Sequence, residues 1–425
     1  MGGNLIIGVL LFGLSVLVNA QTADSPDFIS KELHVRGGLS NFIAKANKGS
    51  SLKVAYLGGS ITEQKGWRNY SLEWFRQFFP KSEFTEINAA IGGTGSDFGA
   101  YRLKEQVLKF KPDIVFVEFC VNDNGVVPER ITRSMEGIVR QIRQNDTTTD
   151  ICFIYTIMEG YLNQEMAGDL PKTVEVMELI AEKYEISSIN YGNEVCRQVY
   201  NKQLVFTGKE KEIDGVKVFS PDGVHPYPDT GQMIYHEIFT RSFKKIVQNS
   251  TQQIVSYTLP NPIDPECFVN TQMIDISQFH LDKAWKILSV KDDPRFSGFT
   301  KHLETVGQAA PDSKLNFRFK GTSFGIFDII GPGSGKVEIT VDGNVVDTIM
   351  RFDSYCTYWR KHYFVIDRLK DAIHDVTIRV LPDPFDKALI LSKLDKKMKD
   401  PEEYKEYNWY AGKILIDGTW LSYKK

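Results

Sequence analysis

An aspartate and a histidine with the spacing of a catalytic pair occur in the segment Asp222-Gly223-Val224-His225. Within one tight turn such a carboxylate can fold back onto Nδ1 of the imidazole, which leaves Nε2 free to take a proton from a serine hydroxyl. His225 is the only histidine in residues 51–235, so it is the one credible base in this part of the chain. A lone histidine often has a structural role, and the pair by itself leaves both roles open.

Ser60 is the candidate nucleophile, because it follows a short apolar run at residues 54–57 and the pair Gly58-Gly59. This pattern predicts a buried strand that ends in a turn, with the Ser60 hydroxyl above the carboxyl end of the strand. Glycines at this turn would let other backbone and substrate approach closely. The segment from Ser60 to Glu63 also fits a capping box, in which the serine would only cap the next helix.

Two further segments could donate hydrogen bonds to an oxyanion. Residues 88–95 form a glycine-rich turn whose backbone N–H groups could point into a cleft. Asn122 directly follows the most apolar predicted strand, residues 113–120, and its amide could donate to the same oxyanion. Glycine turns after strands are routine, and Asn122-Asp123-Asn124 equally suits an Asx turn.

Alternating strands and helices would position these groups. The predicted strands are residues 54–57, 84–88, 113–120, 151–157 and 186–191, and the predicted helices are residues 67–79, 98–110, 128–145, 170–184 and 228–248. Repeated βα units of this length predict a parallel sheet with helices on both faces. The candidate groups would then meet at one edge of the sheet.

The second half of the chain has a different sequence pattern. Residues 251–265 contain three prolines and are interpreted as a linker, and residues 383–405 as a charged surface excursion. Short runs rich in β-branched and aromatic residues are predicted as strands at residues 315–319, 325–330, 336–341, 345–350, 362–366, 376–381 and 413–417. Their spacing predicts an antiparallel β-sandwich.

The ordered blocks resemble the SGNH hydrolase family, also called GDSL-type esterases, over roughly residues 52–248. The matching blocks are Gly58-Gly59-Ser60, Ile91-Gly92-Gly93, Val121-Asn122-Asp123 and Asp222-Gly223-Val224-His225-Pro226. The resemblance implies a flavodoxin-like, three-layer α/β fold with a parallel sheet. Two positions depart from the family pattern: Gly59 stands where the family name has Asp, and Val121 where Gly is usual.

Carried over by position, the resemblance implies that Ser60 is the nucleophile, that His225 is general base and acid, and that Asp222 orients the imidazole. The oxyanion would be held by the backbone N–H groups of Ser60 and Gly93 and by the side chain of Asn122. The implied reaction is acyl transfer to water through an acyl-enzyme, with no cofactor and no metal.

Composition limits the partners and the compartment. A net charge of −3 over 425 residues, without a basic tract, makes nucleic acid an unlikely partner. Residues 5–18 are uncharged and apolar but too short for stable membrane insertion. Residues 1–20 are therefore interpreted as a secretory signal that is cleaved after Ala20, although the basic residues usual before such an apolar run are missing. Cys120 and Cys152 are predicted to be buried, whereas Cys267 and Cys356 could pair in an oxidising compartment.

These expectations give a secreted or periplasmic enzyme with residues 21–50 as lead-in, 51–250 as catalytic domain, 251–265 as linker and 266–425 as a jelly-roll-like β-sandwich accessory domain. By resemblance to secreted carbohydrate esterases, the expected substrate is an acylated, and above all O-acetylated, poly- or oligosaccharide. The aromatic residues Tyr355, Tyr358, Trp359 and Tyr363 could stack on sugars or could pack the core and the interdomain contact. A lipid esterase, lysophospholipase or thioesterase is an alternative, and so is a non-hydrolytic glycan-binding protein; the oligomeric state stays open.

Overall fold

The computed structural model describes residues 32–421, so the predicted signal segment lies outside the described residues. The strands are β1 Leu33–His34, β2 Ser51–Gly58, β3 Glu83–Asn88, β4 Ile114–Glu118, β5 Asp150–Tyr155, β6 Ser187–Asn190, β7 Val205–Thr207, β8 Glu212–Ile213, β9 Val216–Ser220, β10 Thr271–Asp275, β11 Trp285–Ser289, β12 Thr305–Ala309, β13 Lys314–Ile330, β14 Lys336–Val341, β15 Asn344–Met350, β16 Arg360–Ile366, β17 Ala372–Val380 and β18 Trp409–Leu421. The α-helices are α1 Ser40–Asn47, α2 Ser60–Glu63, α3 Trp67–Phe78, α4 Ser96–Gln106, α5 Pro128–Asn145, α6 Leu162–Met166, α7 Lys172–Lys183, α8 Gly192–Tyr200, α9 Gly231–Asn249 and α10 Lys387–Ser392.

The first sheet has the order β1-β6-β5-β4-β2-β3 and is parallel except for the edge strand β1. By position along the chain its parallel strands are arranged 2-1-3-4-5, which is the flavodoxin-like order. Alternate residues of β2 point to opposite faces, with Val54 and Tyr56 in one apolar cluster and Ala55 and Leu57 in another. The predicted three-layer α/β fold is therefore confirmed, and we call this part the α/β domain.

Residues 192–220 were not assigned helices or strands from the sequence, and they form α8 and a small sheet of order β7-β9-β8. This changes the expectation that the Asp-x-x-His segment follows the last strand of the main sheet. The segment follows β9, which belongs to the small sheet and pairs parallel with β7 and antiparallel with β8. The strands of the small sheet are too short for alternation to identify them.

The remaining strands form one antiparallel, nine-stranded sheet of order β11-β12-β18-β13-β17-β14-β15, with β10 on β18 and β16 on β13. The antiparallel pairing confirms the antiparallel β prediction, and we call this part the β domain. One apolar cluster lies wholly within it. The two strands predicted at residues 315–319 and 325–330 are wrong, because β13 is one 17-residue strand. An irregularity between Gly321 and Ser323 bends the strand without ending it.

The segment predicted as a linker, residues 251–265, contains no helix or strand and packs along the α/β domain. The hydroxyl of Tyr257 donates to the buried carboxyl of Asp150 over 2.5 Å. The backbone N–H groups of Ile263 and Asp264 both donate to the Glu136 carboxylate, over 2.6 and 2.9 Å. These buried contacts fix the path of the chain between the two sheets.

The β domain covers the outer face of α4. The hydroxyl groups of Tyr101 and Ser323 lie 2.6 Å apart, and the rings of Phe98 and Phe327 are centred 4.8 Å apart. One apolar cluster continues from the α/β domain into the β domain. The helix α4, which begins just after the glycine turn, thus forms the contact between the two domains.

All five cysteines lie within the described residues. All five are free and buried, including Cys120 and Cys152 as predicted. Cys356 belongs to a small cluster with Phe352, whereas Cys267 lies on the chain between the domains. The pairing of Cys267 with Cys356 that the sequence left open is absent from the structure.

Candidate active site

Ser60 follows the carboxyl end of β2, an interior strand of the main sheet, and is the first residue of α2. Its hydroxyl does not cap the helix: Gly59 occupies the N-cap position, and no side chain caps it. Glu63 does not complete a capping box either, because its carboxylate accepts the N–H of Gly92 over 2.8 Å. The Ser60 hydroxyl is instead 2.8 Å from Nε2 of His225.

The Asp222 carboxylate folds back onto His225, as the three-residue spacing predicted. Oδ2 of Asp222 is 2.8 Å from Nδ1 of the imidazole, and Oδ1 accepts the backbone N–H of His225 over 2.8 Å. Gly223 has φ +79°, which allows this reversal at little steric cost. Its carbonyl accepts the N–H of Glu159 over 2.8 Å, so the turn is fastened to the segment that follows β5.

Hydrogen bonds decide the charge of Asp222. Partial burial favours the neutral acid, but the backbone and side-chain hydrogen bonds from His225 and the N–H of Val224 outweigh it and lower the pKa of Asp222 to about 2. An ionised carboxylate can only accept, so Nδ1 of His225 carries the proton that it donates to Asp222. The lone pair of Nε2 then faces Ser60, which is the tautomer a general base requires.

The glycine turn lies against Ser60. A Cβ added to Gly92 would be 3.4 Å from the Cβ of Ser60. Gly93 has φ +73° and is exposed, with no atom within 4 Å of an added Cβ. Within residues 32–421, neither the N–H of Gly93 nor that of Ser60 has a hydrogen-bond partner. Both N–H groups are therefore available as hydrogen-bond donors.

Asn122 lies against Gly59, in the turn between β2 and α2. A Cβ added to Gly59 would be 1.9 Å from its Oδ1 and 2.7 Å from its Nδ2, so the carboxamide fills the space that a side chain at position 59 would need. Oδ1 of Asn122 is buried without a partner, so the side chain does not form the alternative Asx turn. The structure therefore brings Ser60, Gly92-Gly93 and Asn122 together.

Two buried charged residues beneath the site were not singled out from the sequence. Glu118, at the end of β4, accepts the hydroxyls of Thr62 and Thr156 over 2.7 and 2.8 Å, and its burial raises its pKa. Arg102 on α4 donates to the carbonyls of Gly58, over 3.1 Å, and Ala89. They join the ends of β2, β3 and β4, and no sequence motif marks either residue.

The aromatic cluster of the β domain divides into two groups. Trp359 packs against Tyr410, with ring centres 4.8 Å apart, and Tyr363 stacks on Phe98 at 4.9 Å. These two rings therefore pack the core and the domain contact, which was the alternative to sugar stacking. Tyr355 and Tyr358 have exposed fractions of 50% and 51%.

Metal ligands and membrane-spanning helices can be assessed only for residues 32–421. Within that range, no group of three or more histidine, cysteine, aspartate or glutamate side chains is arranged to hold a metal ion. None of the helices in the same range combines the length and apolar character needed to cross a membrane.

Comparisons with known proteins give one family match and several matches to solved structures. Residues 56–229 match the GDSL-like Lipase/Acylhydrolase family. Two crystal structures of a two-domain esterase active on acetylated mannans are similar in fold: the one with mannopentaose has a TM-score of 0.68 and 20% identity, covering 94% of this chain and 99% of that one. The other has a TM-score of 0.70 and 19% identity, covering 94% and 100%. A search of curated protein sequences gives no match.

Proposed function

We propose that Ser60, His225 and Asp222 are the catalytic triad of a carboxylic ester hydrolase. The match of residues 56–229 to the GDSL-like Lipase/Acylhydrolase family supports this reaction class. The observation that carries the proposal is the continuous chain of hydrogen bonds, 2.8 Å from Ser60 Oγ to His225 Nε2 and 2.8 Å from Nδ1 to Asp222. This chain has the geometry by which a histidine activates a serine hydroxyl.

In the acylation step, Ser60 Oγ forms a bond to the ester carbonyl carbon while Nε2 of His225 takes the hydroxyl proton. The carbonyl oxygen becomes an oxyanion, which the N–H groups of Ser60 and Gly93 and the amide of Asn122 would stabilise. Each such donor contributes about 3 kcal/mol to lowering the barrier in comparable sites. Collapse of the tetrahedral intermediate breaks the bond to the alcohol oxygen, which receives the proton from His225.

In the deacylation step, His225 removes a proton from water as the water oxygen attacks the acyl-enzyme. The acid leaves, and the proton returns to Ser60 Oγ. The ionised Asp222 stabilises the imidazolium present in both transition states, because the carboxylate accepts the Nδ1 proton throughout.

The substrate we propose is an O-acetyl group on a poly- or oligosaccharide. The side chains of His225 and Asp222 are 40% and 50% exposed, so the reacting groups lie in an open surface site that a short acyl group on a polymer can reach. The fold is shared with an esterase that is active on acetylated mannans. Tyr358 is an exposed ring on the β domain on which a sugar could stack, whereas Lys396 lies over the ring of Tyr355, with Nζ 3.9 Å from the ring centre.

We also propose that the chain is exported after cleavage behind Ala20, and that residues 51–250 form the catalytic domain and residues 266–425 the accessory domain. An extracellular or periplasmic site is where a polymer too large to be imported would be deacetylated. Mass spectrometry of the mature N-terminus tests the cleavage: a chain beginning at Gln21 supports export, and an intact N-terminus contradicts it.

Ser60→Ala tests the nucleophile. We expect turnover of 4-nitrophenyl acetate to fall by a factor of about 10⁴ or more, with the thermal midpoint unchanged. Labelling of wild type, but not of Ser60→Ala, by a fluorophosphonate is the direct readout. Unchanged turnover in the variant would remove the nucleophile assignment. No turnover by wild type on any ester would favour the glycan-binding alternative.

Acetate release from acetylated mannan, xylan and pectin tests the substrate. We expect release from at least one polymer and little cleavage of long-chain acyl esters. Cleavage of long-chain esters without acetate release would favour the lipid-esterase alternative.

A further inference from the structure

We propose that Tyr363 of the β domain is a positioning residue for the oxyanion hole, so that the active site is incomplete without the β domain. The inference rests on the proposed esterase function. It concerns the glycine turn from Gly92 to Gly95, which carries the free N–H of Gly93.

The turn is held at both ends by side chains from other elements. At its start, the N–H of Gly92 donates to Oε2 of Glu63 over 2.8 Å. At its end, the N–H of Gly95 donates to the hydroxyl of Tyr363 over 3.0 Å. Gly93 between them has a left-handed backbone, and no atom beyond its chain neighbours lies within 4 Å of the place a Cβ would take. The direction of its N–H therefore depends on the two ends of the turn and on Thr94, whose hydroxyl donates to the carbonyl of Ile91 over 2.7 Å.

Tyr363 is itself fixed in place. Its hydroxyl donates to Oδ1 of Asp97 over 2.7 Å, and its ring stacks on Phe98 with an interplanar angle of 18°. The backbone of Tyr363 pairs with Phe327 in the β domain sheet. A hydroxyl held by a sheet, a ring stack and a carboxylate is a rigid acceptor for the N–H of Gly95.

The same strand also reaches the other end of the turn. Lys361 lies two residues before Tyr363 on β16, so both side chains point to the same face of the sheet. Nζ of Lys361 is 3.4 Å from Oε1 of Glu63, the carboxylate that holds Gly92. One strand of the β domain therefore supports both ends of the turn through two different side chains.

Electrostatic stabilisation of an oxyanion depends on donors that are already oriented before the reaction. Loss of the Tyr363 hydroxyl leaves the buried N–H of Gly95 without its acceptor and lets the turn relax. The N–H of Gly93 would then meet the oxyanion at a poorer angle, whereas ground-state binding of a small ester would change little. The expected signature is a loss of kcat at nearly constant KM.

Tyr363→Phe and Tyr101→Phe form a matched pair for the test. Each removes one tyrosine hydroxyl from the contact between the domains. The hydroxyl of Tyr363 bonds both Gly95 and Asp97, whereas that of Tyr101 bonds Ser323 and makes no hydrogen bond to the glycine turn. With 4-nitrophenyl acetate, we expect Tyr363→Phe to lower kcat about 10-fold with KM changed by less than about 2-fold. Tyr101→Phe should leave kcat within about 2-fold of wild type, because it weakens only domain docking.

A boronic acid that forms a tetrahedral adduct with Ser60 gives a second readout, because its affinity reports the oxyanion hole directly. Its inhibition constant should rise about 10-fold in Tyr363→Phe and stay unchanged in Tyr101→Phe. Lys361→Met approaches the turn from its other end and should show the same signature, with kcat about 3-fold lower. It keeps the test usable if Tyr363→Phe fails to fold.

Equal losses of kcat in Tyr363→Phe and Tyr101→Phe, or unchanged boronate affinity in Tyr363→Phe and Lys361→Met, would overturn the positioning role. Such results with an active wild type leave the proposed function intact. Absence of turnover by wild type, or full turnover by Ser60→Ala, would instead overturn the proposed function.

Discussion

The contact between Gly59 and Asn122 makes a quantitative prediction about catalysis. A Cβ at position 59 would be 1.9 Å from Oδ1 of Asn122, and ordinary contacts begin at 3.4 Å, so Gly59→Ala must push the carboxamide away by about 1.5 Å. Misplacing a reacting group by about 1 Å can cost about 100-fold in rate. We therefore expect kcat for 4-nitrophenyl acetate to fall about 100-fold in Gly59→Ala.

The fold should tolerate this substitution. Gly59 has φ −95° and ψ −151°, an extended conformation outside the left-handed region that favours glycine. Within residues 32–421, Oδ1 of Asn122 has no hydrogen-bond partner, so moving this atom breaks no internal hydrogen bond. The thermal midpoint of Gly59→Ala should stay close to that of wild type.

A double-mutant cycle gives the sharpest test. Asn122→Ala alone should also lose about 100-fold in kcat, because one oxyanion donor is gone. In that background the methyl group added at position 59 no longer meets a carboxamide, so the double variant should again lose about 100-fold and not about 10,000-fold. The coupling energy would be about 2.7 kcal/mol. Multiplied losses, or an unchanged kcat in Gly59→Ala, would refute the reasoning.

Three predictions concern stability. Burial raises the pKa of Asp123 to about 7, so the native state binds this proton more tightly than the unfolded chain does and the protein becomes less stable as the pH rises. In urea unfolding, the free energy of unfolding of Asp123→Asn relative to wild type should therefore increase by up to about 3 kcal/mol from pH 5 to pH 9. An equal difference at the two pH values would contradict this. Because Cys267 and Cys356 are free, dithiothreitol should leave the thermal midpoint unchanged and the unfolded chain should titrate five thiols, whereas fewer would reveal a disulfide. Arg351→Met should lower the free energy of unfolding in urea by about 3–5 kcal/mol, because it leaves the buried Asp328 carboxylate without its ion-pair partner. A decrease of less than about 1 kcal/mol would argue against a contribution from that ion pair.

Strong local signals made most of the α/β domain predictable. The helix at residues 128–145 was located without error, because Pro128 marks its first turn and its apolar residues recur at helical spacing. Weak local signals failed elsewhere. β11 exposes most of its five residues and carries no alternation, and β13 bends at a glycine that resembles a strand end. Tertiary pairing decides such segments.

The candidate site shows the same division. Ser60, Asp222 and His225 each follow a strand and a glycine or proline, so local chemistry singled them out, and the structure joins them in one hydrogen-bonded chain. The sequence named Tyr363 as a ring that could pack the interdomain contact, but it could not identify the partner Gly95, which is 268 residues away. A contact between two domains leaves no periodicity or motif in either segment.

The pairing of β13 with β18 imposes an order on the assembly of the molecule. Ile416 lies opposite Phe324 in the β domain, so the centre of that sheet forms only after the ribosome has released nearly all of the described chain. The α/β domain is synthesised well before this, and domains synthesised first generally fold first. Closing such a distant strand pair is slow, because long-range pairing must overcome the entropy of the intervening chain. In a nascent chain, Ser60 and His225 would therefore be in place before β16 supports the glycine turn. Catalytic activity would be the last property that the folding chain acquires.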